Sequence, residues 1–368
     1  MTAVTHPRET VDWIEASAYA IPTDFPESDG TLCWHSTTLV LVEARGGGCR
    51  GLGFTYADLA TATLIRNLLA ELVIGRDAMD VAGCWSAMVR AIRNLGRPGI
   101  ASMAIAAVDV ALWDLKARIL DLPLVSLLGA AREALPVYGS GGFTSYPLPR
   151  LEEQLSKWAA DGIPRVKMKV GRDPQQDEAR VRAARRAVGP DVELFVDANG
   201  AWDRKQALAF AERFASEGVT WLEEPVSSDD LVGLRLIRDR APAGMEVTAG
   251  EYGYDLPYFR RMLEAGAVDV LQADLSRCAG LSGFLGVGAL CDAFGVPLSS
   301  HCGPALHLHP GCALRSMRHA EYFHDHVRIE EMLFDGVARP SRGVLAPDLS
   351  RPGLGLDFRR ADAERYLL

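Results

Sequence analysis

The pattern of hydrophobic and polar positions changes character near residue 135. Before it, VDWIEASAYAI (11–21), HSTTLVLVEA (35–44) and GLGFTYA (51–57) read as strands of a short β-meander. Helical patterns follow, the longest being GIASMAIAAVDVALWDLKARIL (99–120), which is small or apolar nearly all round and therefore buried. Strands first and helices after predict an α+β unit. Beyond 135 a short apolar run and an amphipathic helix alternate. The strand candidates are LPVYGSG, RVKMKV, ELFVDA, WLEE, EVTAGE, VDVLQAD, VPLSSH and HAEYF, starting roughly 22 to 30 residues apart. Eight strands with crossover helices predict an α/β fold closed into a parallel (β/α) barrel. An open doubly wound sheet is the alternative, but YGSGGFTSY after the first strand lacks the glycine spacing of its phosphate loop.

The strand ends break the apolar pattern. In VKMKVG (166–171), side chains two apart share a face, so Lys167 and Lys169 point to one side while Val166, Met168 and Val170 point to the other. The third strand ends in Asp197 and Asn199, the fourth in Glu223 and Glu224, the fifth in Glu251, the sixth in Asp274 and the seventh in His301. The eighth carries Glu321. Active sites of such barrels lie at these C-terminal ends. A single carboxylate there is ordinarily a solvated loop residue or a helix N-cap. Charges that end strand after strand, each behind apolar residues, must answer one another or a bound ion.

Asp197, Glu223 and Glu251 make an all-oxygen set suited to a hard divalent cation, Mg²⁺ best of all. Zinc is less suited: His307 and His309 in HLHP, and His324 and His326 in HDH, lie beyond the strand ends and are read as helix caps or surface residues. Lys169, beside Lys167 and in the field of the cation, is expected to have its pKa lowered from about 10.4 and to act as a base. Asp274 and His301 make a second base, the carboxylate fixing the imidazole tautomer; a core histidine held by a buried aspartate is the plainer reading of the pair. A metal between two bases suits abstraction of a proton next to a carboxylate, with Lys167 and a protonated Glu321 donating to the enediolate. Cys302, next to His301, is read as an inert buried thiol rather than a nucleophile.

Composition narrows the partners. The 368 residues are 48% hydrophobic and 24% charged, as in globular domains, and exceed a usual single domain. A net charge of −9 without any basic stretch argues against nucleic acid and membrane surfaces and leaves a small molecule as the partner. MTAVTHPRETVDWIEAS lacks the features of a leader and no apolar run reaches about 18 residues, so a cytoplasmic location is expected. Seven widely spaced cysteines without C-x-x-C read as reduced thiols.

The ordered set of motifs resembles the enolase superfamily, and within it the mandelate racemase branch. AIAAVDVALWDLKARILDLPLVSLLG resembles the long helix and turn of that family; KMK resembles its Lys-x-Lys motif, DAN the first metal ligand with a substrate-contacting Asn, EEP and AGE the other two ligands, and QAD and SSH the Asp/His dyad. Glu321 stands where this branch keeps an electrophilic acid. The resemblance implies a Mg²⁺-dependent enzyme with a modified TIM barrel, (β/α)7β, over about 133–339. It implies an α+β capping domain over 1–132, completed by a tail from about 340 to 368, and a homo-oligomer. Capping loops near IPTDFPESDGTLCWHST and GFTYADLAT would make Trp34, His35 and Tyr56 substrate contacts.

The resemblance favours dehydration of a sugar acid, an aldonate or aldarate, to a 2-keto-3-deoxy acid, and the polar capping segment TDFPESDGT suits a polyhydroxylated substrate. Racemisation or epimerisation of a 2-hydroxy acid and cycloisomerisation of a sugar lactone use the same first step. A metal-dependent hydrolase would need an H-x-H after the first strand, where VYGSG has none. A non-catalytic barrel would have lost a base or a ligand, and none is missing.

Overall fold

The structure, a computed structural model, describes residues 9–368; residues 1–8, part of the stretch read for a leader, lie outside them. The first three strands, β1 (Val11–Ser28), β2 (Cys33–Gly46) and β3 (Cys49–Tyr56), form an antiparallel meander in the order β1-β2-β3. The helix Ile100–Ile119 packs across it. With apolar and small residues on most of its surface, that helix buries Ala104, Ile105, Val108, Leu112 and Leu115 against the sheet side and further residues against the barrel.

Eight parallel strands follow: β4 (Leu135–Gly141), β5 (Arg165–Lys169), β6 (Glu193–Asp197), β7 (Val219–Glu223), β8 (Glu246–Ala249), β9 (Val270–Ala273), β10 (Leu298–Ser300) and β11 (Met317–Phe323). Each pairs with the next, and β11 closes back on β4, so the expected barrel is present and the open sheet is excluded. Outward-facing Val166, Met168, Leu194, Val196 and Leu222 join the core beneath the helices. Inside, Tyr138, Phe195 and Trp221 stack with His319 to fill the barrel.

Buried carboxylates of the long helix hold the parts together. Asp114 accepts from the amides of Leu52 in β3 (2.7 Å) and Leu354 in the tail (2.6 Å), and Asp109 accepts from the amide of Ser282 on a barrel helix (2.8 Å). The tail also pairs Leu367 with Tyr19 and sets Arg360 against Glu43, folding back on the first three strands. The segment between β1 and β2 lies over the barrel mouth. There Trp34 packs edge-on to Phe143, from the YGSGGFTSY loop, at 5.6 Å, and Gly30 nestles against the carbonyls of Ala198 and Val170. Among the described residues no helix is long and apolar enough to cross a membrane.

Candidate active site

Strand register brings the charges together. Lys169 on β5 lies opposite Asp197 on β6, and Asp197 opposite Glu223 on β7. Past β8 the chain turns at Gly250, φ 134°, where a side chain would strike the carbonyl of Gln272, and this turn delivers Glu251 to the same mouth. Asp274 and His301 each follow directly on β9 and β10. At Asn199 (φ 46°), Glu224 (φ 38°) and Cys302 (φ 52°) the backbone takes a left-handed conformation without glycine, strain concentrated where strands end around one opening.

The side chains form two tiers. Beneath, Lys167 is fully buried with its Nζ 2.7 Å from Glu223 Oε1, 2.8 Å from Glu321 Oε1 and 3.7 Å from Asp197 Oδ2. Glu321 also accepts from Ser140 Oγ (2.6 Å) and the Cys302 amide (2.7 Å). Above, Lys169, Asn199, Glu251, Asp274 and His301 line a cavity of about 290 Å³, roofed by Trp34 and Tyr56. Lys169 donates to Asp197. His301 Nδ1 is 2.8 Å from Asp274 Oδ2, which places the proton on Nδ1 and turns the Nε2 lone pair toward the cavity, 3.4 Å from Glu251 Oε2. Lys169 and His301 thus approach one cavity from β5 and from β10.

One oxygen each from Asp197, Glu223 and Glu251 lie within 4.8 Å of one another, close enough for the three to share one hard divalent cation. Glu251 Oε2 is buried without a hydrogen-bond partner among the described residues, as is Glu224 Oε1. Burial, followed by the charge of Asp197, pushes the Glu223 carboxyl up to about 8, even with Lys167 in contact. The site's own lysines therefore leave negative charge in excess, and a divalent cation fits the donor set. His301, Cys302 and Glu321 also bring three possible ligand atoms together, but Glu321 is committed to Lys167 and His301 to Asp274.

Four expectations need correction. Burial disfavours the charge on Lys169, but Asp197 in contact, together with Glu251 and Glu223, outweighs burial and Lys167, so the protein groups raise its pKa rather than lower it. Burial likewise opposes charge on Glu321, yet Lys167 and His301 bring its carboxyl well below the usual range; an ionised acceptor, not a protonated donor, stands there. His35 is exposed and lies off the cavity: on a strand its neighbours Trp34 and Ser36 take the inward face. His307, His309 and His326 are neither caps nor surface groups. They are buried acceptors for the amides of Leu275 (2.8 Å), Val125 (3.1 Å) and Gly303 (3.2 Å), and only His324 is partly exposed, beside Asp24.

Sequence reading missed several cavity residues. Arg277 lies 3.2 Å from the Glu251 carbonyl and 3.7 Å from Asp274, one helical turn past that aspartate, a spacing that could have flagged it. Asp29, Tyr252, Ser276 and His326 also face the cavity. Asp274 is held below the usual carboxylate range because the hydrogen bond and charge of His301 outweigh burial, and His301 is raised, Glu251 and Asp274 overcoming burial.

Residues 20–129 match the mandelate racemase/muconate lactonizing enzyme N-terminal domain and residues 150–363 the enolase C-terminal domain-like family. A mandelate racemase/muconate lactonizing enzyme-like protein from Rubrobacter xylanophilus, of known structure, is 56% identical with a TM-score of 0.96 over 98% of this chain and 100% of that one. The 3,6-anhydro-α-L-galactonate cycloisomerase of Streptomyces coelicolor is 35% identical over 320 residues, 85% of this chain and 87% of the relative. The L-talarate dehydratase of Polaromonas sp. JS666, solved with Mg and L-glucarate, is 30% identical with a TM-score of 0.88 over 98% of each chain. Matched over both of its parts, the chain belongs to the mandelate racemase/muconate lactonizing enzyme family of the enolase superfamily.

Proposed function

We propose that this chain removes the proton α to the carboxylate of a sugar acid and expels the β-hydroxyl, giving a 2-keto-3-deoxy acid. The observation that carries the reading is the pair Lys169 and His301 lining one cavity beside the acidic triad. Asp197, Glu223 and Glu251 would hold Mg²⁺, which when bound supplies positive charge to offset the triad and a Lewis acid for the substrate carboxylate. The Mg found with the Polaromonas relative supports that assignment.

Lys169 and His301 divide the proton transfers. One takes the α-proton, and the other protonates the departing hydroxyl from the other side; positioned groups of this kind contribute about 10²–10⁴-fold each. Asp274 holds the proton on His301 Nδ1, leaving Nε2, 3.3 Å from Cys302 Sγ, as the nitrogen that exchanges a proton with substrate. Lys167, buried below, gives the enediolate a fixed positive neighbour, and Glu321 holds Lys167 and the Cys302 amide in place. Asn199, with a side-chain oxygen lacking any partner among the described residues, and Trp34 and Tyr56 above contact the substrate.

Incubation of a sugar-acid panel with Mg²⁺ and the chain tests this: a 2-keto-3-deoxy product is expected. Only α-exchange and epimer would replace dehydration by racemisation. The 35% identity to a cycloisomerase supports a second reading, in which the same carbanion equivalent opens an anhydro or lactone ring; a keto acid of unchanged mass would favour it. A cytoplasmic homo-oligomer is the setting we infer, tested by fractionation and light scattering.

A further inference from the structure

We infer that the substrate is a monocarboxylate with an uncharged, hydroxylated tail, an aldonate rather than an aldarate, and that His326 is a specificity-determining residue that donates a hydrogen bond to one hydroxyl of that tail. The inference rests on the reading of a sugar acid held at the acidic triad and concerns the rest of the cavity lining.

The fixed cations of the cavity crowd its acidic end. Lys169 leans on Asp197, and Arg277 on Glu251 (3.4 Å) and Asp274 (3.7 Å). Lys169 and Arg277 are the only lysine and arginine lining the cavity among the described residues, and Asp29, Trp34, Ser36, Thr38, Tyr56 and His326 add no further cation of that kind. Two arginines near the capping segment are already paired, Arg150 with Asp24 (3.1 Å) and Arg328 with Asp325 (2.6 Å), and neither lines the cavity. A second carboxylate placed there would lose water, gain no cation and face Asp29. Hydroxyls meet no such penalty.

His326 is built as a fixed neutral donor. Its ring stacks on Tyr56 with centroids 3.4 Å apart and planes 15° from parallel, and Phe323 packs on its edge at 5.1 Å. Nδ1 accepts from the Gly303 amide at 3.2 Å, so the ring proton sits on Nε2, and Nε2 has no hydrogen-bond partner among the described residues. Burial lowers its pKa to about 3, so the ring stays neutral across the working range. Tyr56, which sets the ring's plane, is steadied by Glu330 at 3.5 Å. A single N–H held by stacking, with no charge, discriminates a hydroxyl oxygen by position.

Paired aldonates and aldarates of matching configuration, assayed with Mg²⁺ in D₂O for keto acid and α-deuterium, test the inference. Turnover of an aldonate is expected, with the matching aldarate about a hundredfold or more slower in kcat/KM. An aldarate turned over equally well would overturn the inference and leave the proposed chemistry standing; no product and no exchange with either class would overturn both. On the aldonate that reacts, His326→Phe should lower kcat/KM about tenfold or more, whereas an analogue deoxygenated along the tail should lose nothing further with the variant. Equal losses on both compounds would make His326 a support for the loop of Gly303 and overturn its assignment.

Discussion

Lys167 on β5 joins Glu223 on β7 to Glu321 on β11, with Nζ–O distances of 2.7 and 2.8 Å and none of the three open to solvent. Removing the ammonium would strand two buried carboxylates. Lys167→Met should therefore cost about 3–5 kcal/mol of stability, read as a lower urea midpoint in the presence of a chelator. An unchanged midpoint would mean that the carboxylates take up protons instead.

The two bases should separate experimentally. Lys169→Ala and His301→Asn each remove one proton carrier from the cavity, so each should lower turnover by about 10²–10⁴-fold. Exchange of the α-proton should survive in only one of them for a substrate of given configuration. Undiminished turnover in both variants would refute the site.

Gly30 tests the cap. A Cβ at this position would press into the carbonyl of Ala198 and stand 2.8 Å from that of Val170, where β6 and β5 deliver their charges. Gly30→Ala should hold the capping segment off the barrel, lowering kcat/KM roughly tenfold to a hundredfold while leaving the melting temperature nearly unchanged. A parallel loss of stability and activity would point to a folding defect.

Glu27 gives the cap a pH dependence. Its Oε2 accepts from Trp34 Nε1 at 2.8 Å, while burial and then the nearby Asp325 raise its pKa from 4.5 to about 9. Between those values the folded chain keeps a proton that the unfolded chain releases, so this contribution to stability is complete at low pH and declines as pH rises through the window. Glu27→Gln should melt like the parent near about pH 5 and above it near about pH 8.5. A difference of the same size at both would show that Glu27 does not titrate as stated.

Much of the site was legible because strand geometry is periodic. The alternation in VKMKVG put both lysines inside the barrel, and Asp197 and Glu223 fell into register with Lys169 from the same logic. The same rule, applied to Trp34 and His35, allows one of the two to face inward, which is how His35 came to be misread. Arg277, Asp29 and His326 escaped because they sit on loops or at helix starts, where the cavity wall exists only once the capping segment lies on the barrel. The histidines of HLHP and HDH looked like surface groups for a related cause: the backbone amides they satisfy belong to distant segments, Val125, Leu275 and Gly303, that local pattern cannot place beside them. The charge states of Lys169 and Glu321 depend on which partner sits at contact distance, and no spacing in the chain encodes that.

The most direct test of two bases flanking an acidic triad is proton NMR of an aldonate incubated with the chain and Mg²⁺ in D₂O. The account predicts a 2-keto-3-deoxy product with one deuterium at C3, the carbon that carried the β-hydroxyl, where the enol takes up its proton from solvent, formed only with the metal present and absent in Lys169→Ala. Loss of the hydroxyl at an undiminished rate without Mg²⁺, or in Lys169→Ala, would contradict it.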